Sequence, residues 1–263
     1  MTNRSSFFEN CLEDKEKNCV VFNELRRLRR QEIENIKDEA GWREPFKIYP
    51  SQLSFDMCPW KYFQNINKAS NFLLQSFYKM KAGTSKHWEI QQDFLKSKLL
   101  YEKPQNLTKE QASKLKLHWP EVPFTNDNTM ISGRVDLLLN IKDMPVVIEI
   151  KTVYGDPEQY LKDIEKGKLP DEKHKCQAAI CAHQINALAL LDKPIEKFIL
   201  MYLNPRFEPG DQDAEHEFHF ELKDYQEKCD ILIEHLVKER ERFLSSTESK
   251  CSFPNCREHK NGN

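Results

Sequence analysis

The sequence has no apolar run long enough to span a bilayer, and its first residues, MTNRSSFFENCLEDKEKN, hold no apolar stretch of the kind that directs secretion. No membrane-spanning helix is expected, and the chain is expected to be intracellular. It also lacks an excess of charge of either sign. Lys and Arg number 40 against 42 Asp and Glu, a formal net charge of −2. Binding of a polyanion through the overall field is therefore excluded, and any nucleic-acid site has to be a local basic patch. Internal repeats and low-complexity linkers are absent as well.

What is there is enough for one large domain, or for one domain with extensions: 263 residues, 39% hydrophobic and 31% charged. The composition predicts a soluble protein with a sizeable core. Eight cysteines, Cys11, Cys19, Cys58, Cys176, Cys181, Cys229, Cys251 and Cys256, form an even set. In an intracellular chain of this size, scattered thiols or metal ligation are expected ahead of disulfides.

The most informative stretch is Met130–Thr152, MISGRVDLLLNIKDMPVVIEIKT. It reads as two strands joined by a turn at Lys142-Asp143-Met144-Pro145. Asp136 lies inside the first apolar run, and Glu149 and Lys151 lie two apart in the second. Side chains alternate along a strand, so Glu149 and Lys151 share a face. Charges in such strands are costly to bury unless paired or bound to metal.

Along the rest of the chain, Phe22, Leu25, Leu28, Ile33 and Ile36 have helical spacing between Val20 and about Ala40. Arg26, Arg27, Arg29 and Arg30 make that helix basic, as a solvated face or as a contact to the DNA backbone. Ser51 is the expected N-cap of a helix through Phe63, kinked or broken at Pro59. A helix is predicted from Thr84 to about Lys103, with Trp88, Phe94, Leu95 and Leu99 apolar and His87 in its first turn. A single helical His is more often structural than a ligand.

Glu121–Thr125 reads as an edge strand because of its proline. Tyr154–Pro170 reads as a loop or a short helix, and Glu172–Leu191 as a helix with Gln177, Cys181 and Gln184 on about one face. Ile195–Leu203 and Glu217–Glu221 read as strands. Tyr225–Leu244 is predicted as an amphipathic helix with Ile231, Leu232, Leu236, Val237 and Phe243 apolar.

Two carboxylates and a lysine converging on one point suit hydrolysis of a phosphodiester. Hard oxygen ligands such as Asp136 and Glu149 hold Mg²⁺ or Mn²⁺, to which the Ile150 carbonyl can add an oxygen. Lys151 can hold a water or a phosphate oxygen and favour hydroxide through its charge. The alternative is a partly buried Glu–Lys or Asp–Lys ion pair at a sheet edge. On these residues alone both readings stand.

Gly133-Arg134-Val135-Asp136 followed by Val147-Ile148-Glu149-Ile150-Lys151-Thr152 resembles the PD-(D/E)XK nuclease superfamily. More narrowly, the chain is similar to the RecB-like exonucleases, including CRISPR-associated and phage members. Three further stretches fit that subgroup. Gly83-Thr84-Ser85-Lys86-His87 matches its G-x-x-x-H element. Gln177-Ala-Ala-Ile-Cys181 stands where the family has Q-x-x-x-Y. Ser51-x-Leu53, Cys58-Pro59 and the following Tyr62 and Phe63 match its S-x-L-x-x-x-x-C-P helix.

The resemblance covers roughly residues 49–260. It implies an α/β fold with a mixed central β-sheet flanked by helices, a restriction-endonuclease-like core. Residues 1–48 would be a helical N-terminal extension, and 49–263 the nuclease domain closed by a cysteine-containing tail. It further implies metal ligands at His87, Asp136, Glu149 and the Ile150 carbonyl, with Lys151 as the catalytic lysine. Gln177 would contact the site or DNA. The chain departs from the pattern at Cys181, which replaces the tyrosine.

Many members of the subgroup join one cysteine before the core to three near the C-terminus around an iron–sulfur cluster. Cys58, Cys251 and Cys256 match in position, and a third C-terminal cysteine is missing, though His259 lies three after Cys256. A Cys3His set suits tetrahedral Zn²⁺, and the same four can hold an Fe–S centre. The alternative is three unrelated thiols and an exposed histidine. A metal here would be structural and would pin the tail to the Cys58 helix.

The expected function is a Mg²⁺- or Mn²⁺-dependent deoxyribonuclease, an exonuclease acting on DNA ends in recombination, repair, replication or phage and CRISPR DNA processing. Arg26–Arg30, Lys79, Lys81 and Lys86 would guide the backbone. The alternative is a module of the same fold that binds DNA ends or a partner without cutting. A site-specific endonuclease is the third reading, for which the sequence shows no separate specificity domain.

Overall fold

A computed structural model describes residues 47–66, 86–101, 121–208 and 211–245, all within one compact unit. The expected basic helix at 20–40, Lys79, Lys81, Gly83–Ser85 and the tail with Cys251, Cys256 and His259 lie outside the described residues. The fold is α/β, with a mixed β-sheet flanked by helices. β1 (Val122–Asn126) and β2 (Ile131–Val135) form an antiparallel pair, with Pro123 on this two-stranded sheet as expected for an edge. β3 (Leu137–Ile141), β4 (Met144–Thr152), β5 (Lys197–Leu203) and β6 (Glu215–Glu221) form a four-stranded sheet in that order. Its β4–β5 pairing is parallel and the other two are antiparallel.

The stretch before the hairpin turn, expected as one strand, is two. Asp136 separates β2 from β3, and they belong to different sheets. The turn is also shorter than the four residues predicted. Lys142 and Asp143 alone make it, both at positive φ (52° and 62°). That left-handed pair is the two-residue hairpin geometry whose twist matches the strands. Met144 and Pro145 belong to β4. Pairing of β4 with β5 begins at Val146, so the missing N–H of Pro145 costs no bond on that side.

The parallel crossover from β4 to β5 runs through α3 (Pro157–Glu165) and α4 (Glu172–Ala187), numbered after α1 (Pro59–Ile66) and the helical residues 86–94, α2. Asp156 caps α3 by accepting from the Gln159 N–H, and Asp171 caps α4 by accepting from the Lys173 N–H. Each cap satisfies a donor the helix leaves unpaired. α4 buries Cys176, Ala178, Ala179, Ile180, Cys181 and Ala182, as a helix enclosed on most sides must. It lies on the sheet face made by Leu138, Val147, Phe198, Leu200 and Tyr202, which α5 (Gln226–Ser245) helps to cover. Ile90 and Phe94 of α2 pack on the opposite face, against Leu137, Leu139, Val146, Ile148, Ile150 and Ile199.

Other expectations shift by local physics. Ser51 is not a helix N-cap. It lies inside a 3₁₀ turn, Pro50–Gln52, and α1 starts separately at Pro59, which is the predicted break. The α2 helix ends near 94 rather than 103, because the chain turns to run along β3. There Asn140 N–H donates to Leu99 O and Tyr101 N–H to Leu138 O, covering an otherwise bare strand edge. Trp88, Leu95 and Leu99 are exposed, not core. On α5 the buried stripe is Cys229, Leu232, Ile233 and Leu236, and Ile231 is exposed.

Gly133 has a packing reason. It pairs with Phe124, and a Cβ there would stand 2.9 Å from Phe124 Cζ and 3.2 Å from Pro50 Cδ. Gly133→Ala is expected to lower stability by about 1–3 kcal/mol through overpacking. A urea midpoint unchanged from wild type would contradict that.

Candidate active site

Glu149 and Lys151 project from β4 toward α4, on the face the strand period predicts. Lys151 Nζ donates to Glu149 Oε1 at 2.6 Å and to Gln177 Oε1 at 2.9 Å. Gln177 Nε2 also donates to Glu149 Oε1. The three side chains therefore form a closed triangle, and one ammonium proton of Lys151 is left over. Gln177 ties the helix to both charges. Cys181, one turn further along α4, is buried at the base of the site. Burial pushes its thiol well up, as do Glu149 and Asp136. It packs within the main core cluster. Gln184, expected on the same face as Gln177, instead accepts from Asn126 and Thr129 at the β1–β2 turn.

Asp136 acts through the end of a ladder. β3 begins only at Leu137, which pairs with Ile148, so the Ile150 amide lies past the end of that pairing. Asp136 Oδ2 accepts that N–H at 2.7 Å. Its other oxygen faces His87 Nδ1 at 3.7 Å. The structure thus brings His87, Asp136, Glu149, Lys151 and Gln177 into one region. Ile150 enters it here through its N–H.

The electrostatics are set by burial and two carboxylates. Glu149 is 3% exposed. Burial, then the Asp136 charge, pushes its carboxyl up to about 7 against the pull of Lys151. For Lys151, burial acts downward, yet Glu149 and Asp136 outweigh it and hold the ammonium above its usual range. His87 behaves alike: burial lowers it, but Asp136 and then Glu149 carry it above its ordinary value.

Among the described residues, no three His, Cys, Asp or Glu side chains are gathered closely enough to hold a metal ion. The bonds above show why: one oxygen of Asp136 is turned to Ile150, and one of Glu149 to Lys151 and Gln177. Yet Glu149 Oε2 is buried with no hydrogen-bond partner. An orphaned, buried carboxylate oxygen beside a second carboxylate and an imidazole is a donor set that suits a hard divalent cation.

Gln91 was not singled out by sequence, although it stands one helical turn after His87. It is buried, and its Nε2 donates to the Asp136 carbonyl at 3.0 Å and reaches Glu121 Oε1 at 3.5 Å. Glu121 in turn pairs with Arg134 at 2.7 Å. Gln91 therefore pins the His87 helix to the Asp136 bend. Gln91→Leu keeps the volume but leaves a buried carbonyl unsatisfied, at about 1–3 kcal/mol. Urea unfolding of the variant beside the wild type checks this, and an unchanged midpoint would contradict it.

Of the cysteine set, only Cys58 is described. It is half-buried at the start of α1, where its carbonyl accepts from the Tyr62 N–H. α1 packs on the end of α5 through Trp60 and Phe243, ring centroids 5.4 Å apart.

No family model matches the sequence, and no curated protein matches it. Among solved structures, the chain is similar to an alkaline exonuclease from Laribacter hongkongensis. The match covers 76% of this chain and 92% of that one, at 13% identity and a TM-score of 0.34. The same enzyme in complex with dAMP gives the same coverage and identity and a TM-score of 0.32. A phage-related exonuclease from Haemophilus somnus 129PT matches over 74% of this chain and 98% of its own, at 10% identity and a TM-score of 0.32.

Proposed function

We propose that this chain is a metal-dependent deoxyribonuclease of the PD-(D/E)XK type. The observation that carries the reading is the part-buried Glu149–Lys151–Gln177 triangle beside Asp136, with one buried Glu149 oxygen left unsatisfied. Beside a second carboxylate and an imidazole, an oxygen with no protein donor is one that a bound cation would satisfy.

His87, Asp136 and Glu149, with the Ile150 carbonyl, would hold Mg²⁺ or Mn²⁺. When bound, such an ion supplies an acidified water and neutralises charge on the phosphate. The chain's own groups do the rest. Glu149 and Asp136 favour the ammonium form of Lys151, which would stabilise developing negative charge. Its uncommitted N–H can orient a water or a phosphate oxygen. Gln177 keeps the ammonium and Glu149 in fixed relation, so no reorganisation is needed when charge develops.

The four motifs, in the order of the RecB-like exonucleases, favour an exonuclease on DNA ends, acting in recombination, repair, replication or phage and CRISPR processing. Lys86, exposed beside His87 and paired with Glu89, is the described member of the proposed DNA-guiding set; Arg26–Arg30, Lys79 and Lys81 complete it. No described helix is long and apolar enough to cross a membrane.

A structural Zn²⁺ or Fe–S centre at Cys58, Cys251, Cys256 and His259 belongs to the same proposal. The support is chain reach. α5 ends at Ser245 beside the Cys58 helix, and Cys251 follows within about 20 Å of extended chain.

A non-cleaving DNA-end or partner-binding module is favoured by the engagement of both carboxylates with protein donors. Incubation with linear and circular, single- and double-stranded DNA, in Mn²⁺ or EDTA, separates the two. Cleavage is expected in Mn²⁺ only, and of linear DNA. Binding with no cleavage of any substrate would establish the module instead.

A further inference from the structure

Tyr202 of β5 pairs with Lys151 of β4, so the two side chains stand next to each other on the α4 face. The Tyr202 phenol is fully buried. Its oxygen accepts the Asp171 N–H at 3.1 Å and lies 2.5 Å from His174 Nδ1. A phenol has one proton. With a backbone donor already aimed at the oxygen, that proton goes to His174 Nδ1. Nδ1 is therefore an acceptor, and the imidazole carries its hydrogen on Nε2.

His174 stands one turn before Gln177 on the same helix, so it flanks the triangle that holds Lys151. It is only partly buried. Burial, and then the Lys151 charge, push its pKa down to about 4, so the ring is neutral at physiological pH. The result is an uncharged N–H donor, locked in one tautomer, beside a cation that already has two of its three protons committed. A second cation here would repel Lys151 and any bound divalent ion, whereas a neutral donor adds a hydrogen bond without that repulsion.

We propose that His174 is a substrate-contact residue whose Nε2–H donates to a non-bridging phosphate oxygen of the nucleic acid next to Lys151, with Tyr202 as the group that fixes its tautomer. This rests on the nuclease reading for the identity of the ligand.

The test uses the full chain in EDTA, so that binding is read without cleavage. The imidazole nitrogens of ¹⁵N-labelled protein are observed while a 5′-phosphorylated single-stranded oligonucleotide is added. His174 is expected as the Nε2–H tautomer before addition, with the Nε2 signal moving on addition. His174→Ala is expected to weaken oligonucleotide binding by about tenfold in fluorescence anisotropy. His174→Gln, whose amide nitrogen reaches the Nε2 position, should recover most of that loss, and His174→Asn should not.

A stationary Nε2 signal in wild type while the oligonucleotide binds overturns the proposal, as does unchanged affinity in a folded His174→Ala. Equal losses for the Gln and Asn variants would reduce His174 to a support for Tyr202. Should His174→Ala fail to fold, the wild-type titration still decides. A protein that shows the Nε2 shift but never cuts in Mn²⁺ overturns the nuclease reading and leaves this contact standing.

Discussion

Glu149→Gln is expected to lower metal-dependent cleavage by about 10²–10³-fold or more while leaving the fold intact. The substitution keeps shape, and an amide oxygen can still accept from Lys151 and Gln177. What it loses is the negative charge and the orphaned Oε2, which becomes an N–H₂ that cannot ligate a cation. The variant should also lose the Mn²⁺-induced rise in melting temperature that a site binding only the folded state confers. Cleavage within about threefold of wild type would remove Glu149 from the site.

The same variant tests the burial cost through pH. The Glu149 carboxyl is raised from 4.5 to about 7, so the folded form holds a proton across that window that the unfolded chain has released. Stability linked to this group is therefore fully present below about 4.5 and falls as pH rises toward 7. In EDTA, Glu149→Gln should gain stability relative to wild type between pH 5 and pH 8. A difference that is flat or runs the other way would show that Glu149 is ionised at little cost. The expected gain would mean that the wild type keeps a group that costs stability in EDTA, the pattern expected where function sets the residue.

Lys151→Met is the second large effect. Methionine keeps most of the stem, so packing against the sheet survives, but the ammonium is gone. Turnover should fall by about 10²–10³-fold, because the charge that stabilises the developing phosphate oxyanion is lost. DNA affinity should change far less, since one contact among many is removed. Removing one partner of a buried pair commonly costs about 3–5 kcal/mol. Here the cost should be smaller below neutral pH, where Glu149 can take a proton instead. Combining Lys151→Met with Glu149→Gln should give little further loss of activity, because the two side chains act as one unit. Fully additive losses would mean that they contribute independently.

Much of the site is legible locally. Glu149 and Lys151 share a face because a strand has period two, and no other information is needed. Gln177 and His87 are marked by motif resemblance. Gln91 and His174 were also within reach, one helical turn from His87 and from Gln177, yet nothing in the sequence distinguishes them from surface polar residues on those helices. The hairpin differs from its local pattern at two points, each for a physical reason. Asp136 interrupts an apolar run that otherwise reads as one strand, and positive φ at Lys142 and Asp143 has no glycine or asparagine to announce it.

By itself, the sequence determined that Glu149 and Lys151 lie within an apolar strand and share a face, and about where most helices and strands lie though not their ends, because strand and helix periods act over a few neighbouring residues. Only the tertiary structure decided what those charges meet. Asp136 meets the Ile150 amide because β3 begins where it does against β4. Tyr202 stands beside Lys151 because β4 and β5 pair in parallel across the α3–α4 crossover. Such registers are set by packing between segments far apart in the chain, which no local period encodes.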